Sequence, residues 1–560
     1  MRKIWKAKNA KGESILQKFL SARNLNSAEE ISEFLDPKYE NSPDPFLLKD
    51  MEAAAARTER AMKNSEKITV YADYDADAVT AAAALLRFFQ RLKYPNVNYY
   101  IPDRFTEGYG MNPEAVKILA EQGTNLIITV DCGINAVSSV DAANALGVDV
   151  IITDHHQLTD EIPKAAAVVN PHRPGDGYPC KDLTGVGVAF KLVQALALKF
   201  KNQNSKIKIQ EGFEKWLLDL VAIGTVADCQ KLLGENRVFV KWGIVVLQKT
   251  KWIGLRKLLE TAGLAGAEID TYKIGFMIAP RINAAGRIEH ANLSLELLTT
   301  DDEDRAAELA RKLNELNRHR QELTEQILSE AREQIVTIAD KKILLAAGEG
   351  WPKGIVGLVA GKLTEEFARP VLILERGKIE ATGSARSVGN FNIVEAIGRS
   401  REILVRWGGH PMAAGFTLRS EHIEIFHQNL LDYAEQILTD EDLSPVIHYD
   451  AEIKIGEVTD DLLSLLDKFE PFGLGNPRPK FRINNLGPRY VSAIGKDGKH
   501  LRMYVDGNRK SLSCVGFNQG FWAEKLLEGQ KIDIICEPQY NEWNGEKKIQ
   551  LKITDINLSR

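Results

Sequence analysis

Three short apolar runs in this chain each end on acidic or imidazole side chains. The runs and the polar residues that follow them are Ile68–Ala72 before Asp73, Asp75 and Asp77, Leu126–Val130 before Asp131, and Val150–Thr153 before Asp154, His155 and His156. Short apolar runs bounded by polar turns are typical of buried strands. If the strands are parallel, their carboxyl ends meet at one edge, which is where open α/β sheets bind ligands.

Such an edge would gather five carboxylates and two imidazoles into one crevice. Like charges this close together repel each other strongly. Divalent cations remove that repulsion, and mixed ligation by Asp and His suits Mn²⁺ and similar ions. The pattern therefore predicts a metal centre.

The first acidic cluster has a spacing of its own. Asp73, Asp75 and Asp77 alternate along the chain, and alternate side chains of an extended segment share a face. A helix N-terminus also tolerates one or two acids through capping and the helix dipole. That alternative explains Asp77 but not all three carboxylates, so we expect the three to face a metal together.

The other candidates are weaker when each is taken alone. Asp131 could be a cap or turn residue, and an adjacent pair such as His155-His156 is more often structural or exposed. On an extended chain the two rings point in different directions, so one can bind metal while the other faces substrate. Asp228 follows an apolar helical run, and either a metal ion or a salt bridge with Arg237 or another base would satisfy its charge.

Length and composition limit the class of protein. A chain of 560 residues is too long for one hydrophobic core, and three or four domains are expected. Its five cysteines form no CxxC pair and no zinc spacing, which fits a reducing compartment. The first residues lack the apolar stretch of a signal peptide, and no run approaches the roughly 18 apolar residues of a membrane span. We therefore expect a cytoplasmic protein with no membrane contact.

The charge is unevenly distributed. Residues 476–560 hold 15 Lys and Arg against 9 Asp and Glu, a net charge of +6, although the whole chain carries −5. A basic module on an acidic chain indicates a polyanionic partner. A solvated surface face explains the same charge equally well.

The pattern of apolar residues divides the chain. Strand and helix patterns alternate over residues 51–200, which predicts a parallel βαβ sheet. Over residues 301–340 apolar residues recur at helical spacing among many charges, which predicts a long helix bridging two domains or, alternatively, a short coiled coil. A second α/β unit has strands near Ile343–Ala346 and Pro370–Leu374. The C-terminal residues are β-rich, and Asn544-Gly545 indicates a hairpin.

Arginines and small-residue segments mark candidate phosphate-binding positions. Arginine forks bind phosphate bidentately, and glycines let the backbone come close. Each candidate is weak alone, because small-residue turns are also common packing elements. The candidates are Arg104, the two arginines Arg281 and Arg287 of segment 280–287, segment 382–387 with Ser384 and Arg386, and segment 408–415 with His410.

Together these motifs resemble the DHH phosphoesterase superfamily and, within it, the RecJ-type single-stranded-DNA-specific exonucleases. The resemblance covers nearly the whole chain. It departs from the family pattern at Ala78, where Gly is usual, and at Pro352, where His often follows Trp. The matching segments, in order, are Asp-x-Asp-x-Asp at 73–77, Asp131, Asp154-His155-His156, Gly-Thr-Val-Ala-Asp at 224–228, the PRxNAxGR segment at 280–287, Gly408-Gly409-His410, and 471–477.

This resemblance implies 5′→3′ hydrolysis of single-stranded DNA to 5′-mononucleotides, in repair and recombination, with two Mn²⁺ or Mg²⁺ ions. Asp154 would orient a histidine. Arg104, Ser384 and Arg386 would hold a 5′-terminal phosphate, while Arg281 and His410 would contact the nucleotide backbone. The implied metal and catalytic residues are Asp73, Asp75, Asp77, Asp131, His155, His156 and Asp228.

The implied fold class is α/β, with two α/β lobes (DHH and DHH-associated) joined by a long helix, plus a C-terminal β-barrel (OB fold). In the OB fold Tyr504, Phe517 and Trp543 are candidates for base stacking, although a packing role is commoner for such aromatics. The expected domains are an N-terminal helical cap at 1–50, the DHH catalytic domain at 51–300, the connecting helix at 301–340, the DHH-associated domain at 341–440 and the OB fold at 446–560.

Two other functions stay open. One is a related DHH phosphodiesterase acting on short RNA or cyclic dinucleotides, which the long helix and the basic β module disfavour because small substrates need no extended groove. The other is a non-catalytic DNA-binding relative, which the retained acidic residues disfavour. By family analogy the partners are single-stranded DNA with a 5′-phosphate, a single-strand-binding protein and a RecQ-like helicase, and we expect a monomer.

Overall fold

The structure is a computed structural model in which the chain forms two compact units. The smaller consists mainly of Pro280–Val446 and includes Asp103–Thr106. The larger holds most of Trp5–Pro102, Glu107–Ala279 and Ile447–Arg560. No helix in the described part of the chain is both long and apolar enough to cross a bilayer. The structure describes residues 3–8, 12, 14–104, 106–159, 161–202, 209–506, 511–527, 529–543 and 546–559.

The N-terminal segment belongs to the core of the C-terminal module, which comprises residues 447–559. Its elements are β1 (Ile4–Ala7), α1 (Ile15–Ser21) and α2 (Ala28–Leu35). Both helices begin with a serine capping box that satisfies their first N–H groups. Phe19 and Phe34 pack edge-to-face against Phe469. The predicted helical cap thus contains a strand as well, and its apolar side chains join the core of the C-terminal module.

A parallel sheet flanked by helices forms the next part of the larger unit. Its elements are α3 (Met51–Lys63), β2 (Ile68–Ala72), α4 (Ala76–Arg91), β3 (Val97–Tyr100), α5 (Pro113–Glu121), β4 (Leu126–Val130), α6 (Val137–Ala145), β5 (Asp149–Thr153), β6 (Ala167–Val169) and α7 (Gly185–Asn202). The strand order is β3-β2-β4-β5-β6. Strands β2 and β4 are buried along their whole length, which explains their continuous apolar sequence. The strands that end on the acidic clusters, β2, β4 and β5, are therefore neighbours.

Helices dominate the middle of the chain. They are α8 (Leu218–Ala227), α9 (Gly234–Leu247), α10 (Ile253–Thr261), α11 (Thr271–Lys273), a π-helix (Ile274–Ile278), α12 (Ala279–Ile288), α13 (Asn292–Thr299) and α14 (Glu303–Val336). Asp302 caps α14 by accepting from the Arg305 N–H. Leu309, Leu313 and Ile335 lie on its buried stripe, as the helical spacing predicts.

The smaller unit contains a mixed sheet. Its elements are β7 (Leu344–Gly348), α15 (Lys353–Phe367), β8 (Val371–Arg376), β9 (Glu380–Arg386), α16 (Ile393–Gly398), β10 (Leu404–His410), β11 (Ala413–Arg419) and α17 (Ile423–Ile437). The strand order is β10-β11-β9-β8-β7. β7 and β8 are parallel and the other neighbours antiparallel.

The C-terminal module is a sheet that stays open. Its elements are β12 (Val446–Tyr449), β13 (Ala451–Glu452), α18 (Asp460–Asp467), β14 (Phe481–Leu486), β15 (Pro488–Ile494), β16 (His500–Asp506), β17 (Ser511–Gly516), α19 (Trp522–Lys525), β18 (Ile532–Trp543) and β19 (Glu546–Leu558). The seven-stranded order is β13-β14-β18-β19-β17-β16-β15, while β12 pairs with β1. Leu501, Met503 and Val505 point into the core, as their alternation predicts. The expected Asn544-Gly545 turn lies outside the described residues.

The expectation of a closed barrel needs correction. β13 and β15 end the ladder, and a cavity of about 1240 Å³ lined by residues of both strands separates them. β15 is a poor pairing partner because Pro488 lacks an N–H and Tyr490 has a φ of 50°. Its register with β16 also shifts between Arg489 and Ser492. These are features of an edge strand.

Candidate metal centre and phosphate-binding residues

The ends of three neighbouring strands bring the predicted acidic residues together. Asp73 follows β2, Asp131 follows β4 and Asp154 follows β5. All three are buried, with at most 3% of each residue exposed. The parallel register of β2, β4 and β5 aligns their carboxyl ends, so the crevice arises from the sheet itself.

Asp75 has the extended backbone that the alternation predicts, with φ −90° and ψ 178°, whereas Asp77 is already helical. Asp75 is the N-cap of α4, and its Oδ1 accepts from the Ala78 N–H at 3.0 Å. Asp77 lies in the first helical turn, where its carboxylate accepts from the backbone N–H groups of Gly185 and Val186 at 2.7 and 2.9 Å. The early helix start replaces a shared strand face with a helix N-terminus, which favours negative charge.

Asp131 occupies a strained position beside a glycine. Its φ is 59°, a left-handed conformation that is uncommon outside glycine and concentrates at functional sites. A Cβ on Gly185 would overlap the Asp131 side chain. The first residue of α7 must therefore be glycine for Asp131 to keep its place.

Asp228 reaches the same site from a helix end. It is the C-cap residue of α8. The alternative partner, Arg237, does not pair with it, because that guanidinium donates to backbone carbonyls, among them those of Phe34 and Glu470. Asp228 Oδ2 instead lies 3.8 Å from His155 Nε2.

Asp154 organises the two histidines. Its Oδ1 accepts from the backbone N–H groups of His155 and His156 at 2.7 and 3.1 Å. Its Oδ2 accepts from the Ile134 N–H. The same Oδ1 lies 2.8 Å from His156 Nδ1. Burial alone would raise the pKa of Asp154, but the contact with His156 holds it below the ordinary value.

The two histidines differ in charge. Burial and the neighbouring His156 lower the pKa of His155 to about 4, so its ring is neutral at pH 7 and can offer a lone pair to a metal. Burial would also lower the pKa of His156, but its hydrogen bond to Asp154 raises it to about 9. His156 is therefore a cation at neutral pH.

Two groups of three potential ligands share one histidine. Asp131, His155 and His156 form one group, and Asp77, His155 and Asp228 form the other. In each group the three ligand atoms lie within 4.8 Å of one another. His155 Nε2 lies 3.0 Å from Asp131 Oδ1 and 3.9 Å from Asp77 Oδ2. Asp73 and Asp75 lie outside both groups.

This cluster fits divalent cations. Buried carboxylate oxygens of Asp131 and Asp228 accept no hydrogen bond within the described residues, and a buried anion without a partner is costly. The donors are carboxylates and one neutral imidazole, which suit Mn²⁺ and, through the oxygens, Mg²⁺.

The pKa values of the aspartates reflect the same crowding of buried negative charge. The pKa values of Asp77 and Asp131 are raised well above the ordinary value, first by burial and then by neighbouring aspartates. Burial and the charge of Asp75 raise the pKa of Asp228 to about 7. In the absence of a cation these carboxyl groups therefore bind protons more tightly than free aspartate does, and metal binding would displace those protons.

Tyr109 is a site residue that the motifs did not reveal. Its hydroxyl lies 3.2 Å from His156 Nε2, and its ring packs edge-to-face with Tyr74. Gly108 and Gly110 flank it with φ values of 89° and 77°, which the tight turn requires. The Gly-Tyr-Gly sequence shortly after Arg104 was the available signal.

The predicted phosphate-binding residues lie on regular elements rather than on loops. Arg281 is on α12, where its Nε donates to Asn314. Ser384 and Arg386 are on β9, where the Arg386 guanidinium donates to the Ser384 hydroxyl at 3.0 Å. A Cβ on Gly383 would overlap Phe416 and Leu374. The small residues of this segment therefore serve strand packing, which is why they resemble a loop in sequence.

The remaining candidates range from half-buried to exposed. His410 ends β10, opposite Ala413, and Arg104 belongs to Asp103–Thr106, within the compact unit that contains β9. In the C-terminal module Tyr504 is half-buried against Tyr490, and Phe517 is exposed beside His500. The Trp543 side chain lies outside the described part of the structure.

The fold and the acidic cluster define a DHH-type phosphoesterase. Residues 67–225 match the model of the DHH family N-terminal domain, residues 340–440 that of the DHHA1 domain, and residues 449–555 that of the RecJ OB domain. The last match supports the OB assignment even though the sheet is open.

Whole-chain relatives identify the family more narrowly than the domain matches do. The chain is 40% identical over 548 residues to the single-stranded-DNA-specific exonuclease RecJ of Bacillus subtilis, covering 97% of this chain and 68% of that one. The RecJ of Dickeya dadantii is 30% identical, with 97% and 96% covered. The crystal structure of Thermus thermophilus RecJ in complex with Mn²⁺ matches with a TM-score of 0.82 at 30% identity, covering 97% and 76%. The chain therefore belongs to the RecJ family.

Proposed function

We propose that this chain is a metal-dependent exonuclease that hydrolyses single-stranded DNA from the 5′ end to 5′-mononucleotides, in repair and recombination. The observation that carries the proposal is the pair of three-residue ligand groups sharing His155 in a chain of the RecJ family. Relatives named as single-stranded-DNA-specific exonucleases supply the substrate class.

The metal centre is proposed to hold two Mn²⁺ or Mg²⁺ ions. Such ions lower the pKa of water and stabilise the attacking and leaving oxygens of a phosphodiester. His155 is a shared ligand because its ring is neutral. Asp73 and Asp75 add negative charge beside the ligand groups. The ligands are Asp77, Asp131, Asp228 and His155. His156 lies beside the first group but, as a cation, does not bind metal.

His156 is proposed to contact the scissile phosphate. Asp154 keeps it positively charged, and an imidazolium donates to the non-bridging oxygens on which charge develops. Its Nε2–H is the donor, and a phosphate oxygen would take the place of the Tyr109 hydroxyl, which lies 3.2 Å from that nitrogen. The two histidines have different roles, metal ligand for His155 and phosphate contact for His156, because Asp154 binds the ring of His156 but only the backbone of His155.

The direction of digestion is proposed to come from a 5′-phosphate site. Ser384 and Arg386 are adjacent on β9 and already hydrogen-bonded to each other, and Arg104 lies in the same compact unit. Arg281 and His410 contact the nucleotide backbone. The basic C-terminal module holds the strand by charge and stacking, with Tyr504 and Phe517 as the stacking rings.

The domain division is also a proposal, and it follows the order of the motifs. The domains are a cap at 1–50, a catalytic domain at 51–300, a helix at 301–340, a DHH-associated domain at 341–440 and an OB fold at 446–560.

The cellular setting is a proposal as well. We place the protein in the cytoplasm as a monomer that works with a single-strand-binding protein and a RecQ-like helicase.

A comparison of substrates tests the proposal. A 5′-phosphorylated single strand should be degraded at least ten times faster than its 5′-hydroxyl form, the duplex, a matching RNA or a linear dinucleotide. The Arg386→Gln variant should lose the preference for the 5′-phosphate while keeping its fold. Faster hydrolysis of the dinucleotide or of a cyclic dinucleotide would favour a DHH phosphodiesterase for small substrates.

A further inference from the structure

Two arginines outside the metal centre are each hydrogen-bonded to an asparagine on α14. Arg281 Nε donates to Asn314 Oδ1, and Arg320 Nη2 donates to Asn317 Oδ1, each at 3.1 Å. Asn314 and Asn317 are three residues apart on α14, so their side chains are neighbours. Both arginines belong to the same compact unit.

The charge of Arg320 is not neutralised. No carboxylate lies within ion-pair distance of it among the residues that the structure describes. Its Nε is buried and has no hydrogen-bond partner there. Burial and the positive charge of Arg281 lower the pKa of Arg320. Elsewhere on α14, Arg305, Arg318 and Arg332 all pair with glutamates.

An amide partner has a different effect from a carboxylate. The oxygen of Asn317, which is only 3% exposed, fixes the guanidinium without cancelling its charge. A partly desolvated guanidinium without a carboxylate partner, held beside a second arginine, opposes folding. Such a site suits an anion with several oxygens, because the guanidinium fork matches phosphate geometry and Arg320 has donors besides the one that Asn317 accepts.

We propose that Arg320, together with Arg281, binds an internal phosphodiester of the single-stranded substrate, and that Asn317 positions it. The proposal rests on the proposed function and adds to it a phosphate subsite on the long helix. The subsite gives affinity rather than chemistry, so its loss raises KM and leaves kcat unchanged.

Binding measured against salt tests the subsite. The probe is a 20-nucleotide single strand with a 5′-phosphate and a 3′-fluorescein, followed by anisotropy in EDTA from 50 to 300 mM KCl. Arg320→Gln should weaken binding about tenfold and reduce the slope of log K against log salt by about 0.7, the loss of one phosphate contact. Arg318→Gln removes an exposed charge from the same helix and should leave both quantities within twofold of wild type.

A second variant keeps the test decisive if Arg320→Gln folds poorly. Asn317→Asp would place a carboxylate on Arg320, which should raise the melting temperature yet weaken DNA binding and reduce the salt slope. Gln321→Glu adds the same charge at an exposed position of α14 and is its matched control.

The outcomes separate this inference from the proposed function. An active wild type whose Arg320→Gln or Asn317→Asp variant keeps the wild-type salt slope would overturn the phosphate subsite and leave Arg320 a structural residue. A wild type that neither binds nor degrades single strands would instead overturn the proposed function.

Discussion

At the residue scale, the metal centre depends on two glycines that leave room for carboxylates. A Cβ on Gly185 would overlap Asp131, and one on Gly224 would crowd Asp77 and Thr80. Neither glycine has a positive φ, so their role is close packing rather than backbone freedom. The positions of Asp131 and Asp77 therefore depend on glycine at 185 and 224.

The Gly185→Ala substitution should therefore damage catalysis more than folding. The added methyl group must displace Asp131, and a shift of about 1 Å at a catalytic group costs on the order of 10²-fold in rate. The measurement is kcat on a single-stranded oligonucleotide together with the melting temperature. Gly361→Ala, where a methyl group meets open space, is the control that should keep both. Full activity in Gly185→Ala would refute the packing argument.

The Asp219→Asn substitution should change the pH dependence of stability. Burial raises the pKa of Asp219 to about 6, although Thr250 and Trp252 donate to it. Because the folded state binds this proton more tightly than the unfolded state, the contribution of Asp219 is fully present below pH 4 and is lost as pH rises to 6. This difference in pKa corresponds to a loss of about 3 kcal/mol from the free energy of unfolding between pH 4 and pH 6.

Melting temperatures from pH 4 to pH 7 measure this effect. The melting temperature of Asp219→Asn relative to wild type should rise over that range, whereas the exposed control Asp141→Asn should track wild type. Parallel curves for Asp219→Asn and wild type would show that Asp219 is ionised in the folded state at all these pH values.

The acidic residues of the site were predictable from the sequence, but the backbone conformation around them was less so. Asp73, Asp131 and Asp154 follow strands as predicted, because apolar runs ending on polar residues are a local signal. The helix start at Ala76 was not apparent, because Asp75 is both an acid of the motif and an N-cap. Ala78 lies inside that helix with its N–H on Asp75, a position where alanine is favourable.

At the element scale, one arginine connects three parts of the larger unit. Arg237 of α9 is 1% exposed and donates to the carbonyl of Phe34 in α2. It also donates to the carbonyls of four consecutive residues, 468–471, just after α18. A single guanidinium thus satisfies a turn that would otherwise bury unpaired carbonyls.

The Arg237→Met substitution should loosen the C-terminal module. Losing these hydrogen bonds leaves buried carbonyl groups unsatisfied, which costs about 3–5 kcal/mol in total. Limited proteolysis should release fragments from residues 447–559 earlier than in wild type, and the melting temperature should fall. Arg399→Met removes an exposed arginine paired with Glu395 and should have little effect. Unchanged proteolysis of Arg237→Met would contradict this role.

Strands were predictable where burial is complete and less so at sheet edges. β2 and β4 agree with their apolar runs to the residue. The open ladder of the C-terminal module was not predictable, because alternation in β16 specifies a face and not the closure of a sheet. Pro488 at the start of β15 was the one local hint of an edge.

At the scale of the whole molecule, the core of the C-terminal module is completed by a segment from the other end of the chain. Arg23 of the N-terminal segment donates to buried Asn476, 453 positions later. Periodicity detects the helices of that segment but not the partner of their apolar faces, since the partner is specified only by tertiary packing. The sequence therefore predicts a helical cap at 1–50 but not that its apolar residues join the core of the C-terminal module.

The response of the whole protein to metal should depend on pH. The pKa values of Asp77 and Asp131 are raised, and that of Asp228 is raised to about 7. The metal-free fold therefore loses the contribution of Asp228 as pH rises through 7, and below that pH metal binding must displace its proton. The increase in melting temperature caused by saturating Mg²⁺ should therefore be larger at pH 8 than at pH 6. Differential scanning fluorimetry measures it, with Asp131→Asn as the variant that should respond little. An equal increase at both pH values would contradict these protonation states.

The most direct test of the account is release of nucleotides by the metal-loaded protein. A single strand labelled in its 5′-phosphate is incubated with Mn²⁺, with EDTA, and with the Asp131→Asn variant in Mn²⁺. The account predicts mononucleotides from the 5′ end with wild type and Mn²⁺ alone, and at least a thousandfold loss in Asp131→Asn. Undiminished cleavage by Asp131→Asn, or no cleavage by a wild type that binds the strand tightly, would contradict it.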